Sequence, residues 1–215
     1  VDAPHFDAFL HDAFTRIRAD NPRAVVVDVR RNGGGSDRVN EGLWPYITQR
    51  PYASPQGSRC RASARLKREY GVFTYARLYD LPALFARDGT IVDDQPSANV
   101  KTPADNPLRY PGPTYMLIGP STFSSALTCA LIAHDYGLAT LVGEETAEPV
   151  NGTGEVYYVA LPNSHLVAGV TTKLFYTTTH PAREGVKPQI VAKRTLRDAA
   201  LNRDPALDAV RARLT

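Results

Sequence analysis

The chain has 215 residues, 43% of them apolar and 22% charged, with a net charge of +3. That length can hold one domain with a sizeable core, and the fractions are ordinary for a globular protein. The small charge, with no basic run interleaved with aromatics, argues against a nucleic-acid partner, and no apolar run is long enough to span a membrane. Two cysteines, Cys60 and Cys129, give no disulfide framework. Arginine outnumbers lysine, so a lysine-based mechanism has few candidates. The sequence opens without an initiator methionine, and a processed or partial chain is expected.

Phe6, Phe9, Leu10, Phe14 and Ile17 recur at helical spacing and predict an amphipathic helix over 6–19, ended by Asn21-Pro22. Ala24–Val29 is a nearly continuous β-branched run, which predicts an interior parallel strand buried on both faces. Asn32-Gly33-Gly34-Gly35-Ser36-Asp37 follows at once, and a second helix is expected from Asp37 through the Tyr46 region. Glycines between a buried strand and a helix permit close backbone approach and positive φ. A P-loop would need Gly-Lys-Ser/Thr where Ser36-Asp37-Arg38 stands, and the spacing is wrong for a dinucleotide fingerprint. Two readings remain: a nest of N–H groups for an oxyanion, or a tight turn with no ligand.

The stretch 51–113 is expected to be an irregular excursion or lid. Within it Arg59–Leu66 is a candidate strand, Tyr70–Phe85 is aromatic and apolar without one clean period, and 93–113 is rich in Pro, Asp and Asn.

Thr114–Glu145 reads as strand, tight turn, helix, strand. Tyr115–Ile118 is the apolar strand and Gly119-Pro120 ends it. Ser121, Thr122, Ser124 and Ser125 crowd the start of a helical pattern, Gly137 stops that helix, and Leu138–Val142 is the next strand. A serine on such a turn exposes its hydroxyl beside free N–H groups and the positive end of a helix, which suits a developing oxyanion. The competing reading is that these hydroxyls only cap the helix. Beyond a polar loop at 144–154, the runs 155–161 and 166–178 form a hairpin about Pro162–His165. Gly185-Val186-Lys187-Pro188 turns into a short strand at 189–192, and 204–214 is a terminal helix with Pro205 in its first turn. The order of elements predicts an α/β fold, with the 24–29, 115–118 and 138–142 runs in one mostly parallel sheet flanked by helices.

Four pieces, in order, resemble the tail-specific (C-terminal-processing) serine proteases: VVVDVRRNGGG, STFSSALTCALIAHDYGLATLVGEET, GVKPQIV and DPALDAVRARL. The TFSSA, LPNS and GVKP details are most similar to the tricorn-like bacterial members. The resemblance implies a crotonase-like ββα spiral and a single catalytic core over 1–215. The N-terminal part of the family's core, and any PDZ module, are not evident in the sequence. It implies a serine endopeptidase that cleaves protein or peptide substrates near their C-terminus through an acyl-enzyme. Ser124 would be the nucleophile, and the oxyanion donors would be the N–H groups of Ser125 and of Gly34 or Gly35. Glu144, Thr146 and Glu184 would be supporting residues, with no cofactor and no metal. An extracytoplasmic location follows from the same resemblance.

The sequence also departs from the family. Pro149 stands where many members carry the lysine of a Ser–Lys dyad, and Ala182 stands where the tricorn branch has a Glu, with Glu184 nearby. Among the histidines, His134 lies ten helical residues from Ser124, roughly 15 Å at about 1.5 Å per residue. His11 is placed on a solvent-facing helix side and His165 at a hairpin tip, while His5 and His180 fall in loops. Glu144, Glu145 and Glu148 either orient a base, bind a substrate terminus or are ordinary loop charge. The expectation is that the base lies outside this chain, and that a sheet edge left open is filled by an upstream segment or a second copy in a homo-oligomer. Two other classes compete: an inactive peptide-binding or scaffolding homologue, and an acyl-CoA enzyme on the same fold.

Overall fold

The computed structural model describes residues 3–96, 100–181 and 183–215. In chain order its elements are α1 (Ala3–Asp20), β1 (Val25–Asp28), α2 (Asp37–Ile47), β2 (Gly57–Arg61), α3 (Ala64–Phe85), β3 (Ile91–Asp94) and β4 (Thr114–Ile118). They continue with α4 (Ser125–Asp135), β5 (Thr140–Gly143), β6 (Gly152–Ala160), β7 (Val167–Tyr176), β8 (Ile190–Val191), α5 (Leu196–Ala200) and α6 (Pro205–Arg211). The contacts divide the chain into unit 1 (Val1–Ala53, Asn99–Val150, Glu184–Thr215) and unit 2 (Ser54–Ala98, Asn151–Arg183).

Unit 1 is a parallel sheet in the order β1-β4-β5-β8, flanked by helices. β4 lies inside that sheet and all five of its residues are buried, as its unbroken apolar run predicts. Met116, Ile118 and Leu141 share a core with Leu10 and Phe14 of α1, Leu43 and Trp44 of α2, and Leu127 and Leu131 of α4. On the other face Tyr115, Leu117 and Val142 pack with Ala206 and Val210 of α6. Alternate residues of β4 thus serve opposite layers, which is the period-two geometry of a strand.

The expectation of an interior strand at 24–29 is corrected. β1 pairs with β4 at the sheet's edge, and its burial alternates: Val25 is buried while Val26 is 36% exposed. The reason is coverage. α6 packs over Tyr115, Leu117 and Val142, the strands next inward, and Val26 lies outside that cluster.

Unit 2 is an antiparallel sheet in the order β3-β2-β7-β6 with α3 against it. The expected hairpin is β6–β7, in register from Gly152↔Phe175 to Ala160↔Val167. The 51–113 stretch contains β2, α3 and β3. α3 is broken where Gly71 (φ 71) and Asp80 (φ 68) leave helical geometry, so each break resets the helical phase of the sequence around it. Tyr75, Tyr79 and Ala83 of α3 are buried with Cys60 of β2 and Leu66.

Candidate active site

The site is built where β1 and β4 end side by side in unit 1. After β4 the chain turns through Gly119-Pro120-Ser121, and Thr122 locks the turn. Its side chain is fully buried; Oγ1 accepts the Gly119 N–H (3.0 Å) and donates to the Val29 carbonyl (2.9 Å) just beyond β1. The Phe123 N–H donates to the Asn32 carbonyl (3.0 Å). These bonds fix the serine turn to the glycine loop. Thr122 does not stand out in the sequence beyond membership of a polar cluster, because its bond to Val29 joins positions about ninety residues apart.

Ser124 follows at the N-cap position of α4 with φ 54 and ψ −126, and its side chain makes no capping hydrogen bond. The capping alternative therefore does not hold for Ser124. A left-handed non-glycine residue carries a strain on the order of 1–3 kcal/mol and persists only where its surroundings impose it. Gly34 is one such imposition. A Cβ on Gly34 would lie 2.5 Å from Ser124 Cβ, 2.9 Å from the Phe123 carbonyl and 3.0 Å from Ser125 N, and Gly34 itself has φ 98. Only a glycine lets the two loops approach this closely.

The predicted donors divide. The Gly34 N–H is already spent on Asn32 Oδ1 (2.9 Å) in an Asx turn. Gly35 (φ 153) and Ser125, the first residue of α4, have no backbone N–H acceptor among the described residues. Ser125 is anchored otherwise: Asn40 Nδ2 donates to its carbonyl (2.7 Å) and its side chain bonds Asp37.

Of the loop acids, Glu148 is the one that a described hydrogen bond brings to Ser124: its Oε2 accepts the Ser124 N–H. Burial pushes its carboxyl up from the ordinary value, and the Ser124 N–H partly offsets this. Thr146, nearly fully buried, aims that loop. Its Oγ1 donates to the Glu148 carbonyl (3.0 Å) and accepts the Val186 N–H (2.9 Å). Gly185 has no room for a side chain there, since a Cβ would lie 2.1 Å from the Thr146 carbonyl.

The remaining candidates are placed elsewhere by their bonds. Glu144 accepts the Arg194 N–H (3.3 Å) and donates its own N–H to Ile118 (3.1 Å). Glu184 pairs with Lys187 at 2.6 Å and gives its carbonyl to the Val150 N–H. Ala182, the position aligned with the tricorn-branch Glu, lies outside the described residues. The structure thus brings together Ser124, Ser125, the Gly34–Gly35 loop and Glu148, with Thr146 behind them. The spacing of 24 residues between Glu148 and Ser124 carries no periodic signal, so the loop acid could be noted in the sequence but not placed.

An exposed serine in strained backbone, between a parallel strand and a helix and beside a glycine loop, gives this α/β protein the layout of a nucleophile turn. The chain belongs to Peptidase family S41, whose profile matches residues 2–192. No match was found among curated proteins. Among solved structures, mature CPAF complexed with lactacystin is similar with a TM-score of 0.66 at 18% identity, over 97% of this chain and 46% of that one. A photosystem II D1 C-terminal processing protease has a TM-score of 0.52 at 17% identity, over 88% of this chain and 39% of that one. A putative peptidase from Parabacteroides merdae has a TM-score of 0.51 at 17% identity, over 91% and 53%. Identities this low speak to the fold, and the chain spans about two-fifths to a half of the length of these structures.

Proposed function

We propose that the chain is the catalytic part of a serine endopeptidase of the C-terminal-processing type, acting on protein or peptide substrates near their C-terminus. The observation that carries this is Ser124: strained, exposed, unused as a cap, and at the head of α4. In this reading Ser124 Oγ attacks the scissile carbonyl carbon and its proton passes to Glu148. The oxyanion takes the N–H groups of Ser125 and Gly35, which have no acceptor among the described residues. The peptide C–N bond then breaks, the amine leaves with a proton, and water hydrolyses the ester to free Ser124. Glu148 is the base of this reading because its carboxylate accepts the Ser124 backbone N–H and burial raises its carboxyl above the ordinary glutamate value; a base supplied from outside the chain is the competing expectation. The crotonase-like spiral belongs to the same reading, as does a strand added at the open edge of β1 by an upstream segment or a second copy.

The test is hydrolysis of an unstructured protein such as casein, with Ser124→Ala as the comparison. Loss of turnover in the variant with unchanged thermal unfolding supports the assignment; equal turnover removes Ser124 from the mechanism.

A further inference from the structure

A cavity of about 920 Å³ opens in unit 1 where β1, β4 and β5 end, the place where ligands enter open α/β sheets. Its wall comes from separate stretches of chain: residues 30–33 after β1, 119–121 after β4, 194 after β8, and 202–206 ahead of and into α6. Four arginines converge there. Arg30 is committed, with its guanidinium on Asp28 (2.9 and 2.6 Å) and on Asp204 (2.8 and 2.9 Å). Arg31, Arg194 and Arg203 have no ion-pair partner among the described residues, and all three are exposed. Beyond the Arg30 bridge the wall has one carboxylate, Glu144, which is engaged by the Arg194 backbone. Asp198, close enough to feel Arg194 and Arg203, gives its carboxylate to Thr195 N (2.9 Å) and Thr195 Oγ1 (2.5 Å).

The cavity shares two loops with the Ser124 site. Gly33 lines it, and the next residue, Gly34, packs on Ser124. Ser121 lines it and lies in the turn that leads to Ser124. The two loops that carry Gly34 and Ser124 thus also carry part of the wall of an arginine-lined cavity, large enough for one or more side chains. Guanidinium groups match carboxylates in a planar, two-bond geometry that ammonium groups do not offer.

We infer that this cavity is a specificity pocket for acidic peptides, taking Asp or Glu side chains of a chain bound beside Ser124 through Arg31, Arg194 and Arg203. The inference rests on the peptidase reading for its ligand but not on turnover for its test.

The experiment measures fluorescence anisotropy of two labelled hexapeptides, hexaglutamate and hexaglutamine, with the Ser124→Ala protein. The expected result is about tenfold tighter binding of hexaglutamate, an advantage that shrinks as salt rises. Adding Arg194→Gln and Arg203→Gln should make the two peptides bind alike. Both arginine heads are exposed, so these changes leave the core untouched; a circular dichroism melt checks this. Equal binding before the arginine changes, or a hexaglutamate preference that survives them, overturns the inference. Binding of inorganic pyrophosphate without binding of hexaglutamate also overturns it and gives the cavity to small anions. Because no bond is cleaved, a failure here leaves the role of Ser124 standing, and a failure of Ser124 in hydrolysis leaves this result standing.

Discussion

At Ser124 the deciding interaction is steric before it is chemical. Gly34 sits where any Cβ would strike Ser124 Cβ at 2.5 Å, so Gly34→Ala must displace Ser124, the proposed nucleophile, or the loop that carries Gly35. A misplacement of about 1 Å costs roughly 10²-fold in rate, and that is the loss expected in kcat, with a smaller change in KM. Glu148 bears on a different question, since the proposed mechanism sends the Ser124 proton to it. Burial raises its carboxyl above the ordinary glutamate value, and a base works only when deprotonated. Turnover should therefore rise with pH through a midpoint above that ordinary value, and Glu148→Gln should remove this limb rather than shift it. The sign for stability is opposite: a carboxyl raised in the folded state contributes most below its unfolded value and loses that contribution as pH rises through the folded one. Glu148→Gln is thus expected to lose activity while matching or exceeding the parent's urea midpoint at neutral pH. A fall in both together would make Glu148 structural.

At the level of elements, the sequence was most legible where one physical period ran unbroken. β4, α4 and β5 follow directly from an apolar run, a serine-rich turn and a glycine stop. α3 was illegible because Gly71 and Asp80 break its phase, so its aromatic residues never repeat on one template. The surroundings of β1 are not legible, since a β-branched run specifies a strand but not whether another strand lies beyond it. α5 had a readable signal in Thr195-x-x-Asp198, a capping box. At the site, the serine turn and the glycines were legible from local chemistry, whereas Glu148 and Thr122 depend on bonds between distant segments. α4 also makes a prediction through Cys129. Burial pushes this thiol up to about 12, and Cys60 is buried and raised as well. Thiolate is the reactive form, so neither cysteine should be alkylated by iodoacetamide in the native protein at pH 8. Both should react in urea; fast native labelling at Cys129 would contradict the packing of α4.

For the whole molecule, every residue assigned to the site lies in unit 1, and one ion-pair bridge closes that unit from its two ends of sequence. Arg30, just past β1, holds Asp28 and also Asp204, the residue that caps α6 by accepting the Leu207 N–H (3.2 Å). Hydrogen bonds from Arg30 hold Asp28 below the usual carboxylate range; at Asp204 burial pushes upward, and the Arg30 bonds and charge together with the Leu207 and Ala206 N–H groups outweigh it. A depressed folded value contributes stability above the unfolded value and loses it as pH falls through the folded one. The urea midpoint should therefore fall at pH below about 4, and Arg30→Met should lower it at neutral pH and flatten that acid limb. An unchanged acid limb would show that the bridge does not hold α6 to β1. The central claim, that Ser124 is the activated nucleophile of an S41 peptidase, is tested most directly by fluorophosphonate labelling read by mass spectrometry of the digested protein. The account predicts a single adduct on the peptide containing Ser124, formed faster as pH rises and absent from Ser124→Ala. An adduct elsewhere, or equal labelling of parent and Ser124→Ala, would contradict it.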